Sequence, residues 1–229
     1  MEFNLSARLC KLCEMTPACD SLVDVGCDHG YVSMELVRSG RVRRVLAVDV
    51  NEGPLERARE NIGRAGLSGV IETRLSNGLH NIEAGRSFDT ILIAGMGGRL
   101  MRDILTEGSR IVREASFLVL QPQSEIFLVR EFLGNNGFSL QSEACIRDRE
   151  KYYFILVCAR DAGCKREEEE FFLEYSRFLL AKKCPVYREY LIKSKETVER
   201  YLKQAGDRSE KLLRDSEDLS RALSFYENR

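Results

Sequence analysis

Asp24-Val-Gly-Cys-Asp-His-Gly-Tyr31 is the stretch that decides the fold. Before it, Ser21-Leu-Val-Asp-Val25 is a short apolar run of the kind that forms a buried strand; after it, residues 31–38 carry helical spacing. Asp24-x-Gly26 therefore ends a first strand, and Gly30 stands where the next helix begins. Glycines at a strand-to-helix turn let the backbone approach a ligand closely and supply positive φ. In a doubly wound sheet, ligands bind beyond the carboxyl ends of the strands, which makes this turn a candidate ligand site. The plainer reading is an ordinary tight turn.

Outward from this turn the chain alternates. Residues 5–14 place Leu5, Leu9, Leu12 and Cys13 on one helical face, ended near Pro17. Val42 to Val48 reads as a second strand running into Asp49, and Gly53-Pro54 opens a helix to about Ala65. Val70 to Thr73, Phe88 to Ala94 and Ala115 to Leu120 read as further strands, with helices over 99–107 and 124–134. Phe138 to Ile146 and Tyr152 to Cys158 are two strands joined by the polar turn Arg147-Asp-Arg-Glu-Lys151, so they pair antiparallel. Strands alternating with ten-residue helices predict a doubly wound, mostly parallel α/β sheet, Rossmann-like, with a terminal antiparallel hairpin. That is the layout of class I methyltransferases, an analogy of fold alone. From Lys165 onward the pattern is helical: Phe171, Phe172, Tyr175, Phe178 and Leu179 share one side of a helix, and a helical hairpin or short coiled coil follows. The predicted division is a catalytic domain over 1–160 and a helical domain over 161–229.

The whole-chain numbers set bounds. The 229 residues are 44% hydrophobic and 31% charged, with a net charge of −1, as in ordinary globular proteins. No apolar run approaches a membrane span, and the N-terminus does not read as a secretory signal. Eight cysteines fall partly in apolar periodic segments, which predicts reduced, packed thiols and a cytoplasmic protein. Cys10-Lys-Leu-Cys13 has no second pair at zinc spacing, so no metal is expected.

The turn also discriminates between cofactors. The strict G-x-G-x-x-G fingerprint is missing, because Asp28 occupies the middle glycine position. A carboxylate there opposes a pyrophosphate and tolerates a sulfonium, which favours S-adenosylmethionine over NAD. Asp49 can accept both ribose hydroxyls of either cofactor, or be a solvated strand-end carboxylate. Ser76-Asn-Gly78 follows the third strand, with Asn77 placed to meet an adenine edge, and Ala94-Gly-Met-Gly-Gly98 follows the fourth. Met96 either lines the pocket or packs. The expected cofactor set is Asp24, Gly26, Cys27, Gly30, Asp49, Val50, Ser76, Asn77, Gly78, Ala94, Gly95 and Met96.

With these motifs in hand, the sequence resembles the bacterial tRNA (adenine(22)-N1)-methyltransferases. The matching pieces are Leu5-Ser-x-Arg-Leu9, Asp24 to Tyr31, Gly53-Pro54 with Ala58 and Asn61, Arg74-Leu-Ser-Asn-Gly-Leu79, Ile93-Ala-Gly-Met-Gly-Gly98, Leu120-Gln-Pro122 and Arg130-Glu-Phe-Leu133. The resemblance covers residues 1–158; beyond them the tail matches only in being helical. The family usually has Asp-His-Ala-Tyr where this chain has Asp28-His-Gly-Tyr31, which removes no reactive group. The resemblance implies a monomeric S-adenosylmethionine enzyme that methylates N1 of one adenine in the D-arm region of tRNA.

Adenine N1 attacks through an in-plane lone pair, so no proton must leave first and catalysis can rest on alignment and electrostatics. The expected catalytic residues are Asp28, His29 and Tyr31. Asp28 could stabilise charge developing on the base or meet the cofactor amino group. His29 could orient Asp28, touch a substrate phosphate or pack; Tyr31 could stack on the base or face the core. His80 reads as surface. The absent Asn-Pro-Pro-Tyr motif argues against chemistry at exocyclic N6. From Arg177 to Lys203, eight basic residues outnumber three acidic ones, with Tyr187, Tyr190 and Tyr201 interleaved, a candidate RNA face; Arg38, Arg41, Arg43 and Arg44 form a second cluster. The plainer reading of either cluster is that charged helices simply face water. The competing functions are a methyltransferase for another RNA position or a small molecule, an NAD-dependent oxidoreductase, and a non-catalytic protein of the same fold.

Overall fold

The computed structural model describes residues 5–83, 85–163, 169–205 and 209–227. Cys164, one of the eight cysteines, and Lys165, where the helical pattern is expected to begin, lie outside them. The alternation becomes α1 (Ala7–Met15), β1 (Cys19–Val25), α2 (Tyr31–Arg38), β2 (Val42–Asp49), α3 (Glu52–Arg64), β3 (Ile71–Leu75), β4 (Thr90–Met96), α4 (Gly98–Glu107), α5 (Ser109–Glu114), β5 (Phe117–Pro122), α6 (Ile126–Asn135), β6 (Phe138–Asp148) and β7 (Lys151–Arg160). One seven-stranded sheet runs in the order β3-β2-β1-β4-β5-β7-β6. β1 to β5 pair parallel, and β7 is antiparallel to both β5 and β6, as the missing helix between the last two strands predicts. The order reverses between β1 and β4, so the ends of β1 and β4 splay apart into a crevice.

The central strands are buried on both faces: Leu22, Val23, Ala47, Val48, Ile91 and Leu92 have almost no exposed surface. One core layer lies under α1, α2 and α3 around Leu12, Met34, Leu55 and Ile62. The other lies under α4, α5 and α6 and continues without a break into the C-terminal helices through Phe171, Phe172, Leu179, Tyr187 and Leu191.

Those helices are α7 (Glu170–Glu174), α8 (Arg177–Ala181), α9 (Pro185–Ala205) and α10 (Glu210–Ser224). The single helix expected across Phe171 to Leu179 is broken at Tyr175 and Ser176. Ser176 caps α8 by accepting the Leu179 N–H, and its hydroxyl donates to Glu143. Arg130 donates to Glu143 at 2.6 Å and to the carbonyls of Leu173 and Glu174. With 10% and 0% of their side chains exposed, Arg130 and Glu143 form a buried ion pair that the serine break completes.

The contacts of α9 fix its direction. Tyr187 packs on Phe154, Tyr190 on Phe154 and Tyr152, and Lys193 reaches Glu189 and the Tyr152 ring. The helix thus advances along β7 toward the β6–β7 turn, where Arg147 bonds Glu189. Because β6 runs parallel to β5, this turn is at the carboxyl end of the sheet. From Lys193 to Ala205 the helix continues past it for about 18 Å at 1.5 Å per residue, and α10 returns against it.

Candidate functional site

The residues singled out at the strand ends converge on one cleft of about 520 Å³ at the carboxyl edge of the sheet. Across it, in sheet order, stand Asn77 after β3, Asp49 and Val50 at the end of β2, Asp24 and the Gly26–His29 loop after β1, Ala94 to Met96 at the end of β4, and Gln123 beyond β5. Tyr31, Ser76 and Gly78 also line it; Gly30 does not. Gly30 serves the turn from beneath: its φ of 75° starts α2, and a Cβ there would sit 3.4 Å from that of Ala58.

Each strand-end residue is held by its neighbours. Asp49 is 8% exposed, and its carboxylate accepts the Asp28 N–H at 3.2 Å and the Asn51 N–H at 2.9 Å. These two bonds point the carboxylate into the cleft and tie the loop after β1 to β2. Ser76 is buried and acts through the turn, bonding the Gly78 carbonyl and the Asn81 N–H. Asn61 donates to the His29 carbonyl at 3.1 Å and fixes the loop from the α3 side. Val50 is exposed within the cleft, an apolar surface beside the Asp49 carboxylate.

The glycines are explained by close approach. Gly26 has φ of 75°, and a Cβ would fall 2.3 Å from Met96 Cε, so Met96 lies directly over the turn. Gly95 has φ of 79° at a bulge where β4 shifts register against β5, which turns the strand end away from the cleft floor. At Gly98 a Cβ would meet the Glu125 and Ser124 carbonyl oxygens at 2.3 and 2.6 Å, so α4 can start there only on glycine.

The titratable groups divide. Burial raises the Asp24 carboxyl to about 6, against the Ser33 hydroxyl that donates to it at 2.6 Å, and the Asp49 charge adds to the rise. Burial also pushes the Cys27 thiol well above its ordinary value, so it packs as an inert group. Asp28 sits at φ of 52°, a left-handed conformation that aspartate tolerates better than most residues. Its side chain is 70% exposed at the cleft mouth, with His29 Nε2 at 3.5 Å and the His29 ring 5.9 Å from that of Tyr31. His80 lies outside on the surface, paired to Glu107.

A cleft with three aspartates, an exposed apolar residue and a carboxylate aimed outward from the second strand fits a cationic nucleoside. Among the described residues Arg8 is the one lysine or arginine in its lining, and Asp28 stands at the turn where a pyrophosphate would have to lie. Gln123, Leu100 and Ile104 also line the cleft and are not marked in the sequence; Arg8 lines it too, and stands there only inside the matching piece Leu5-Ser-x-Arg-Leu9, with no role assigned. They come from α1, α4 and the loop after β5, and no local periodicity assigns any of them to the cleft.

One expectation about the RNA face is corrected, and the second basic cluster is placed. Tyr187 is 2% exposed and belongs to the core, and Tyr190 packs between Tyr152 and Tyr187; only Tyr201 of the three stands out in solvent. Arg41, Arg43 and Arg44 flank the amino end of β2, at the edge of the sheet opposite the cleft, where Arg43 pairs with Asp20.

The comparisons agree with this geometry. The model of the methyltransferase domain family matches residues 5–156. A tRNA (adenine(22)-N1)-methyltransferase of Bacillus subtilis is 32% identical over 165 residues, which cover 71% of this chain and 69% of that protein. A Streptococcus pneumoniae structure, described as a putative tRNA (m1A22) methyltransferase in complex with S-adenosyl-L-methionine, superposes with a TM-score of 0.87 at 30% identity, covering 96% of this chain and 99% of that one. The B. subtilis m1A22 tRNA methyltransferase structure gives 0.81 at 25% identity, covering 99% and 98%. The chain belongs to the methyltransferase domain family and, within it, to the tRNA (adenine(22)-N1)-methyltransferases.

Proposed function

We propose that this protein transfers a methyl group from S-adenosylmethionine to N1 of adenine 22 in tRNA. The observation that carries the reading is the cleft itself: an oriented ribose acceptor in Asp49, glycine turns after β1 and β4, and an acidic lining suited to a cation. S-adenosylmethionine supplies an electrophilic methyl group when bound there. Asp24, Gly26, Cys27, Asp49, Val50, Asn77 and Ala94 to Met96 would hold it, with Ser76, Gly78 and Gly30 shaping the turns.

The chain's own contribution is alignment and charge. N1 needs no general base, and Ala94 and Gly95, with one methyl group between them, leave room in the cleft for a planar base. Asp28, exposed at the mouth, accepts a hydrogen bond from the base's amino group and offsets the positive charge that grows on the ring. His29 orients Asp28, and Tyr31, half exposed beside His29, offers a stacking face. The base must leave its stack to reach the cleft.

In this reading residues 1–160 form the catalytic domain and 161–229 a helical tRNA-binding domain, acting as a cytoplasmic monomer. The support is directional: the α9–α10 hairpin projects past the edge of the sheet that holds the cleft, and carries Lys195, Arg200, Tyr201 and Lys203 on its outer half. The test is incubation with methyl-labelled S-adenosylmethionine and unmodified tRNA, followed by nucleoside analysis. Label in 1-methyladenosine is expected. Label confined to protein, to small molecules or to another nucleoside overturns the proposal.

A further inference from the structure

Arg8 is the one lysine or arginine among the described residues that line the cleft. It reaches there from α1, which packs on β6, β7 and α2. The Arg8 backbone N–H donates to Asp148 at 3.1 Å, at the β6–β7 turn. Its Nη1 donates to Gln121 Oε1 at 2.6 Å, and Gln121 is fully buried at the end of β5. The guanidinium lies 5.4 Å from the centre of the Tyr153 ring. Nη1 also lies 3.7 Å from the point where a Cβ on Gly95 would be, at the same distance as Gln123 Nε2.

This arrangement holds a guanidinium in place without neutralising it. Gln121 and Tyr153 carry no formal charge, and among the described residues no carboxylate stands within ion-pair distance of Arg8; Asp148, which accepts its backbone N–H, feels the Arg8 charge without pairing with it. Arg99 and Arg102, on the neighbouring helix α4, are each paired with a carboxylate. A half-buried charge without an ion-pair partner is costly, and a guanidinium has five N–H donors of which one is spent on Gln121. Its Nη1 stands beside Gly95 in the cleft, roughly 10 Å across the sheet from Asp49, two strand spacings away. The aspartates occupy the β1–β2 side of the cleft and Arg8 the β4–β5 side, so the site is polarised from anionic to cationic.

We infer that Arg8, set by Gln121 and Tyr153, is an oxyanion-binding residue of this cleft, a role that rests on the proposed nucleoside-binding function of the same site. Two ligands of the reaction carry such a group: the methionine carboxylate of the methyl donor and the phosphate of the incoming nucleotide. Both present planar or near-planar oxygen pairs that a guanidinium fork matches.

The experiment uses the full chain with Arg8→Gln, and binding in place of turnover. Calorimetry measures affinity for S-adenosylhomocysteine and for 5′-methylthioadenosine, which lacks the amino-acid carboxylate. Filter binding measures affinity for an unmodified tRNA transcript across a salt series. A carboxylate partner predicts that S-adenosylhomocysteine weakens about tenfold or more while 5′-methylthioadenosine is unchanged. A phosphate partner predicts unchanged affinity for both small ligands and a log–log salt slope for tRNA shallower by about one. Arg8→Met keeps the aliphatic stem and repeats the measurement if Arg8→Gln does not fold. Wild-type values in every arm, or equal weakening of both small ligands, overturn the inference. A wild-type protein that binds S-adenosylhomocysteine and no tRNA would instead count against the tRNA reading, and the small-ligand arm would still decide the role of Arg8.

Discussion

Asp24 is a carboxyl whose burial works against its own ionisation, and replacing it by asparagine should make the ligand-free protein more stable. It is 3% exposed at the end of β1. Burial lifts its pKa from 3.8 to about 6, with the Ser33 hydroxyl opposing the rise and the Asp49 charge adding to it. A carboxyl with a higher pKa folded than unfolded holds its proton more tightly in the folded state. Its ionised form therefore opposes folding. The penalty is absent below the unfolded value near 3.8, grows as pH rises toward 6 and is complete above that. At 1.36 kcal/mol per unit, the gap amounts to about 3 kcal/mol. Asp24→Asn removes the ionisation and leaves an amide oxygen to accept from Ser33. Urea titrations at pH 8 should show the variant more stable by up to about 3 kcal/mol, and the gain should vanish near pH 4. The same variant should bind S-adenosylmethionine more weakly at pH 8, because a cation-facing carboxylate has gone; wild-type affinity should likewise fall as pH drops through about 6. A variant no more stable than wild type at pH 8 refutes the reasoning, since burial would then carry no cost to relieve.

Three further outcomes follow from the geometry. Gly98→Ala places a methyl group against two backbone carbonyls that cannot swing aside, so it should cost about 1–3 kcal/mol or more in denaturant titrations; a loss below about 0.5 kcal/mol would mean that the α4 start shifts freely. Asp28→Ala should lower the methyl-transfer rate constant by about tenfold to a hundredfold with S-adenosylhomocysteine affinity nearly unchanged, whereas a loss of affinity alone would assign Asp28 to the cofactor. Arg200→Ala with Lys203→Ala should weaken tRNA binding and flatten its salt slope by about two, while leaving S-adenosylhomocysteine affinity as it was; an unchanged slope would remove the outer half of α9 from the RNA face.

The central sheet is legible in the sequence because its strands are short apolar runs separated by helices with clear spacing. The chemistry-bearing turns are legible for the same reason: a doubly wound sheet gathers strand ends at one edge, so Asp24, Asp49, Asn77 and Ala94 meet without any knowledge of distances. Contacts between distant segments are not legible. Arg8 reaches Gln121 across 113 positions of chain and Ser176 reaches Glu143 across 33, and no periodicity encodes either bond. Residues 109–114 form a helix too short to show a period. Tyr187 misleads in the other direction. Spaced among basic residues it reads as an RNA-facing aromatic, yet its ring packs edge-on against Phe154 and its hydroxyl accepts the Ser176 N–H. The basic cluster around Arg43 was visible as charge, but only the strand direction places it away from the cleft.

The most direct test compares two tRNA transcripts that differ only at position 22, adenine in one and guanine in the other, with label from S-adenosylmethionine followed in both. The account predicts stoichiometric label in N1 of adenine 22 in the first transcript and background label in the second. Equal labelling of the two transcripts would contradict it.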